Sequence, residues 1–572
     1  MERIEVPVLI VGAGPAGAAA AILLASSGID CLVVERRDGP HRAPQAHVVN
    51  PRTLEICRAM GLDVGAMAAL ATPVADGGRV RWVTTLTGAE LGSLPYERQD
   101  DAVRSVTPTP LLNLSQHLFE PLLARRLAGE ARAELRRGQR WESCDPDDSS
   151  VVSVIRDLAT DTTYEVRSRY LLACDGAASR VRRHADIEMV GPDALQSFVM
   201  IHFEASLRPL VGDRPAILYW LLAPQAPGAL VAHDIDRTWV LMHPYDPDAE
   251  PIERFTPARA AGIVRRAIGR DDIPLEIRTV RSWTMTAQVA ERYRSGPIFL
   301  VGDAAHRFPP SGGLGLNTGV QDAHNLAWKI RAVEQGWAAP SLLDSYEVER
   351  RPVAQRNAEQ SLLNAMKLAE VVEAAGLGGD EALDTARLAE LRGAGEAADR
   401  LRASIEAQQD HFDMLGLQLG FGYEEGARIG DGTEKPAGPN PVRDFVPSAR
   451  PGSRFPHLWL ERDGERISSL DLLSYDEFTL IAGTRGGGWL AAVAVDAPVP
   501  LRAVQVGGAI RDPGGSLERL CEIDPDGAIL VRPDGHVAWR SRSGAADPTT
   551  TLRQVLARIL SRSREVAAIM QP

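Results

Sequence analysis

The chain opens with a short apolar run, Val6 to Val11, that breaks at Gly12 and gives way to an alanine-rich stretch ending at Ser27 and Gly28. Such a run with no polar alternation predicts a buried strand, and the stretch after it a helix packed on that strand. Two further runs have the same character: Cys31 to Val34, which delivers Glu35, and Pro297 to Val301, which ends at Gly302-Asp303. Tyr170 to Cys174 is a fourth, leaving at Asp175-Gly176. A different rhythm governs Phe198-Val199-Met200-Ile201-His202-Phe203 and Trp239-Val240-Leu241-Met242-His243, where apolar and polar residues alternate. That alternation predicts strands of a mainly antiparallel sheet. Helical patterning spans about 340–412, a Gly, Pro and Asp cluster fills 420–456, and the remainder reads as mixed α/β.

Chemistry concentrates where the buried strands end. Gly12-Ala13-Gly14-Pro15-Ala16-Gly17 lies between a strand and a helix, with Glu35 near the expected interval of about 20 residues. The spacing fits a dinucleotide fingerprint: Gly12 for the tight turn, Gly14 for close approach of a pyrophosphate, Gly17 for helix packing and Glu35 for a ribose. The second site is Gly302-Asp303-Ala304-Ala305-His306-Arg307-Phe308-Pro309-Pro310-Ser311-Gly312-Gly313-Leu314-Gly315-Leu316-Asn317, before a long helix predicted to begin near Asn317. Its backbone N–H groups and helix N-terminus favour negative charge on a ligand, and Asp303 can accept hydrogen bonds from a sugar-like hydroxyl. Asp175-Gly176 makes a third strand end of this kind.

Composition narrows the possibilities. A length of 572 residues allows two or three domains, and a formal charge of −13 argues against a general nucleic-acid partner. Lysine occurs only at 329, 367 and 435. The five cysteines are scattered, without CxxC or zinc spacing, which suits a reducing cytoplasm and predicts no metal site. No segment reaches the roughly 18 apolar residues of a membrane span, and the N-terminus does not read as a signal peptide. The expectation is a soluble, cytoplasmic protein.

Together the three strand ends resemble the FAD-dependent aromatic hydroxylases, the single-component flavoprotein monooxygenases. Tyr346-Glu347-Val348-Glu349-Arg350-Arg351-Pro352, Arg450-Pro451-Gly452-Ser453-Arg454-Phe455-Pro456-His457 and Leu530 to Arg540 extend the likeness over nearly the whole chain. Ala46 to Ile56 and Arg214 to Trp220 resemble the phenol-type subgroup, which includes 2-hydroxybiphenyl 3-monooxygenase and 2,4-dichlorophenol 6-monooxygenase. The resemblance implies FAD, NAD(P)H as cosubstrate, dioxygen, a small aromatic substrate, a flavin hydroperoxide and, often, a homodimer. It assigns cofactor contacts to Gly12, Gly14, Pro15, Ala16, Gly17, Glu35, Arg36, Gln45, Gln116, Asp175, Asp303, Pro310, Gly313, Gly315, Leu316 and Asn317. His47 matches the histidine thought to deprotonate the phenol, and Trp220, Trp283, Met285 and Pro310 become candidate substrate walls. Many relatives carry an arginine where this chain has Gln45; the nearest arginine here is Arg42.

The implied architecture is α/β: a Rossmann-like FAD-binding domain from 1–75, 100–188 and 284–370, with an inserted, mainly antiparallel substrate sheet from 76–99 and 189–283. A helical connector covers 371–439 and a C-terminal thioredoxin-like domain 440–572. A Baeyer–Villiger or epoxidising monooxygenase would use the same motifs, and a non-catalytic flavin-binding protein is the alternative from another class.

Overall fold

The structure is a computed structural model that describes residues 3–41, 43–147, 149–495 and 499–562, so that Arg42 and the last ten positions of the C-terminal segment lie outside the described residues. Its first strand, Arg3–Val11, is the middle of a parallel sheet. On one side it pairs with Cys31–Glu35, which pairs in turn with Ala133–Arg137; on the other it pairs with Thr163–Ala173, which continues to Ile298–Leu300. Val8, Leu9, Ile10, Leu171, Leu172 and Leu300 have no solvent exposure, which is why these strands lack polar alternation. Each such side chain contributes about 1.5–3 kcal/mol on burial.

The helix after the first strand is Pro15–Ser26, with Pro15 at its first turn and nine consecutive buried residues from Gly17 to Ala25. Its alanines let the helix lie close against the sheet and against the long helix Leu314–Glu334. That second helix starts three residues before the position expected from sequence. Gly313 ends the preceding loop with φ 62°, a left-handed conformation suited to glycine, and a side chain there would meet Val48 at 2.6 Å. Gly315, Leu316 and Asn317 therefore belong to the first helical turn.

A second sheet has seven strands in the order Glu276–Met285, Gln196–Glu204, Thr238–Pro244, Gly228–Asp234, Leu218–Leu221, Arg79–Val83 and Glu90–Pro95. All neighbours are antiparallel except Leu218–Leu221 with Arg79–Val83. One face packs Val199, Ile201, Phe203, Leu230, Trp239 and Leu241 against the amphipathic helix Pro257–Ile268. The other turns toward the first sheet and the connector helices Glu381–Glu390 and Glu396–Glu406. The C-terminal segment forms a four-stranded sheet whose central strand, Phe478–Ala482, is parallel to Leu501–Gln505 and antiparallel to Ala528–Val531. Val537–Ser541 completes it. Among the described residues no helix is long and apolar enough to cross a membrane.

Candidate active site

The motifs far apart in sequence meet through backbone contacts that leave no room for larger residues. A side chain at Gly12 would strike the Cys174 carbonyl oxygen, one at Gly17 the Gly12 carbonyl oxygen, and one at Gly302 would approach the Ala16 methyl at 3.1 Å. The fingerprint turn is thus wedged between the strand ends at Asp175 and Asp303. Gly14 and Gly315, by contrast, face open space, and Gly12 to Ala16 are half-exposed before the helix becomes buried. The surface is a groove with accessible backbone N–H groups at two helix N-termini, which suits a ligand carrying negative charge.

Acidic groups line the groove. Burial pushes the Asp303 carboxyl above its ordinary value, with His306 and Arg307 pulling it back. Its surface is nonetheless open to solvent, so it stands in a crowded recess rather than in the core. Burial raises Asp175 as well; its Oδ2 accepts from the N–H groups of Arg180 and Val181 at 2.7 and 3.2 Å, while its Oδ1 is buried without a partner. An orphaned buried acceptor invites a ligand donor. Glu35, at the end of its strand, accepts from Ala13 N–H at 2.9 Å and from Arg37 through backbone and guanidinium. Arg37 thus already occupies much of that carboxylate. Arg36 and Gln45 are exposed.

Three expected cofactor contacts are partly spent on the protein itself. Asn317 Oδ1 accepts from Asn50 N–H at 2.9 Å, and its Nδ2 donates to the Val48 and Gly313 carbonyls at 2.9 and 2.7 Å. Both ends of its amide are engaged by the protein, so Asn317 staples the loop carrying His47 to the start of the long helix. Gln116 donates through its side chain to Glu120 at 2.7 Å and through its N–H to the Ala46 carbonyl at 2.7 Å. Pro310 is exposed beside this turn, its carbonyl accepting from Gly313 N–H at 3.0 Å.

His47 sits where the two sheets converge. Burial pushes its imidazole down to about 4, against an upward pull from its contact with Asn113, whose Oδ1 lies 3.2 Å from Nδ1. The residue is half-buried at the edge of a cleft, and its depressed imidazole is neutral at pH 7. His233, on the second sheet, meets it edge-on with centroids 5.7 Å apart, and Tyr96 lies at 6.2 Å. His233 in turn shares a 2.5 Å hydrogen bond with the Ser115 hydroxyl, which occupies the N-cap of helix Gln116–Ala128 without capping it. Burial, then His47, His117 and His202, lowers His233 well below the usual histidine range. His47 and His233 therefore meet edge-on with both imidazoles pushed toward the uncharged form.

The cleft wall is the part of the second sheet's inward face that the connector helices leave uncovered, with Trp220 at their edge. Cross-strand registers align Arg281, Met200, Met242, Ala229, Trp220 and Trp82 in one row, and Phe198 with Trp283 beside it, stacked at 5.7 Å. Met200, Met242 and Trp220 are half-exposed, and the small Ala229 between them leaves a dent. Trp220, Trp283 and Met285 do not converge as a single pocket. Trp220 and Trp283 are four strands apart, about 19 Å at ~4.8 Å per strand, so one small ring cannot touch both. Sequence reading missed Met200 and Met242 as wall residues, although their period-2 positions in the alternating stretches carried the signal.

The FAD binding domain family matches residues 5–361, and the aromatic-ring hydroxylase C-terminal family matches residues 448–563. The 2,4-dichlorophenol 6-monooxygenase of Delftia acidovorans is 33% identical over 587 residues, spanning 98% of this chain and 98% of that protein. Tetracenomycin B2 monooxygenase-dioxygenase of Streptomyces olivaceus is 36% identical over 583 residues, spanning 98% and 100%. The flavin-dependent monooxygenase PieE, solved in complex with FAD and substrate, superposes with a TM-score of 0.91 at 35% identity over 98% of this chain and 100% of that one. With its groove, its orphaned acceptor and these relatives over its full length, the chain belongs to the FAD-dependent aromatic-ring hydroxylases, monooxygenases that use NAD(P)H as cosubstrate.

Proposed function

We propose that this hydroxylase acts on a phenol within a fused, polycyclic aromatic system, bound in the cleft between the flavin groove and the seven-stranded sheet. The observation that carries the reading is the row of half-exposed apolar side chains, Met200, Met242 and Trp220, running across several strands with Ala229 as a dent. A wall that wide matches several fused rings better than one. Among the relatives, one is named for 2,4-dichlorophenol and another for tetracenomycin B2.

When bound here, FAD would supply the redox chemistry, taking up a hydride from NAD(P)H and activating dioxygen. Gly12, Gly14 and the N-terminus of helix Pro15–Ser26 would receive its pyrophosphate, and Asp303 with Asp175 its hydroxyl and amide donors. The first turn of helix Leu314–Glu334, at Gly315 and Leu316, would offer N–H groups and a helix dipole to negative charge on the flavin. His47 accepts the phenolic proton, which enriches the ortho and para carbons with electron density. A simple phenol titrates near about 10, well above the His47 imidazole that burial holds down. That gap favours a hydrogen bond over a resting ion pair, and favours phenols acidified by conjugation. The Met200 to Trp220 row excludes water from the reacting ring.

The C-terminal sheet order, with parallel then antiparallel neighbours of Phe478–Ala482 and helices Gly487–Val495 and Pro548–Ile559 flanking it, supports a thioredoxin-like fold. Cys521 is its single cysteine and is buried, so thiol exchange has no resolving partner. All five cysteines are free, in keeping with a reducing cytoplasm. The test is product analysis by mass spectrometry under labelled dioxygen, with single-ring phenols set against fused-ring phenols. Faster label incorporation into the fused-ring set supports the reading; hydroxylation of single rings alone overturns it.

A further inference from the structure

Two side-chain amides stand end to end behind His47. Gln99 Nε2 donates to the carbonyl oxygens of Tyr96 at 2.7 Å and Gly77 at 3.3 Å. Those oxygens only accept, so the Gln99 amide is turned with its own oxygen toward Asn113, and Oε1 receives Asn113 Nδ2 at 3.2 Å. Asn113 Nδ2 also points at the Gly77 carbonyl, 3.5 Å away. Its Oδ1 is thereby left facing His47 Nδ1. An amide oxygen cannot donate, so the proton of the neutral imidazole resides on Nδ1 and the lone pair on Nε2. Reversing Asn113 would set two oxygens against each other at Gln99, and reversing Gln99 as well would set its oxygen against two carbonyls.

We infer that Gln99 and Asn113 are positioning residues that hold His47 as the Nδ1–H tautomer and present Nε2 as the proton acceptor for the phenol. The inference rests on the proposed role of His47 for its catalytic consequence, but not for the tautomer itself. Its polarity originates in two backbone carbonyls, which neither rotate nor ionise. The ring otherwise meets Tyr96 and His233, and among the described residues no carboxylate or guanidinium acts on it. A neutral relay fixes the direction of the proton without stabilising imidazolium as a carboxylate would. Nothing in the local sequence marks Gln99, which lies in the segment between the Glu90–Pro95 strand and the turn at Asp101.

The test uses the FAD-loaded protein labelled with nitrogen-15 in histidine, the His47 signals being assigned by their loss in His47→Gln. Wild type is expected to show a protonated, pyrrole-type Nδ1 and a pyridine-type Nε2 at neutral pH. Asn113→Leu and Gln99→Leu should mix the tautomers, and with 2,4-dichlorophenol as probe should slow hydroxylation by about tenfold while peroxide rises, a part of the roughly 10²–10⁴ a general base contributes. Asn113→Asp should keep the tautomer and move the acidic limb of the hydroxylation pH profile upward, because its carboxylate stabilises imidazolium. A wild-type Nε2–H tautomer, or leucine variants with unchanged tautomer and pH profile, would overturn the relay. The nitrogen shifts are read without any phenol, so a wild type inert toward this single-ring probe bears on substrate size alone and leaves the relay to be judged by its tautomer.

Discussion

The flavin sheet and the joint that ties it to the C-terminal segment are both dry, yet they are sealed by opposite means. The sheet is closed by Val8, Leu9, Ile10, Leu171 and Leu172, which offer no polar atom beyond the backbone. The joint is closed by charges. Glu349, fully buried, accepts from Arg532 Nη1 and Nη2 at 2.7 and 2.8 Å, from Lys329 at 2.7 Å, from Asn325 at 2.6 Å and from the Ala427 N–H at 2.8 Å. Arg454 grips Glu55 at 2.5 and 2.8 Å, and Arg52 donates to the Asp534 carbonyl at 2.6 Å. An apolar core yields by degrees when trimmed, whereas a buried ionic joint fails when one partner is lost, because the remaining charge has nowhere to go. The C-terminal segment is therefore a structural member of the flavin-binding body.

The sharpest way to break this comparison is to empty one side of the joint. Arg532→Met leaves Glu349 short of its main counter-charge and should destabilise by about 3–5 kcal/mol, against about 0.5–1.5 kcal/mol for Ile10→Val in the sheet. Chemical denaturation of both variants decides it; equal losses would make the joint ordinary. Removing everything after Pro441 takes Arg454 from Glu55 and Arg532 from Glu349, and should give insoluble protein.

The second test separates stability from chemistry. His47→Ala should keep its FAD and its melting temperature but lose about 10²–10⁴ in hydroxylation, with peroxide rising, and the deficit should shrink as pH nears about 10, where solvent ionises the phenol. Stopped-flow measurement of the oxidative half-reaction across pH reads it out. Acid sharpens the comparison next. Burial pushes the Glu349 carboxyl up, but Arg532 and Lys329 overcome it and hold the group at about 2. A carboxyl depressed in the folded state contributes stability above its unfolded value and loses it as protons bind. Stability should fall as pH drops from about 4.5 toward about 2, and Arg532→Met should flatten that fall in denaturation curves taken across this range. The smallest effect is expected at Asp303→Ala, where lost hydrogen bonds to the cofactor should weaken FAD by about 0.5–1.5 kcal/mol in titrations of the apoprotein. Unchanged affinity would remove Asp303 from the groove.

What is legible in the chain is uneven for physical reasons. Gly12 to Gly17 announces itself because a strand, a glycine turn and a helix are written in adjacent residues. Sequence alone puts the start of helix Leu314–Glu334 too late, at Asn317, since its true beginning is fixed by Gly313 pressed against Val48, far away in sequence. Trp220 and Trp283 are both readable as aromatic strand residues, but strand order alone separates them across the sheet. Arg454 and Arg532 stand in recognisable motifs, yet Glu55 and Glu349, which they hold at the joint, lie 399 and 183 residues away, and only Asp534 stands beside Arg532 in sequence.

By itself, then, the sequence determined the three strand-end turns, the alternation of the second sheet and the membership of a flavin-dependent family. Those depend on backbone geometry and side-chain periodicity within a few residues. Only the tertiary structure decided that Asn317 is a staple, that Gln99 and Asn113 stand in line with His47, that the cleft wall is wide, and that the C-terminal segment is held by buried charge. Each of these is a pairing between residues whose separation along the chain carries no record of their contact, because side chains find one another through the packing of whole elements.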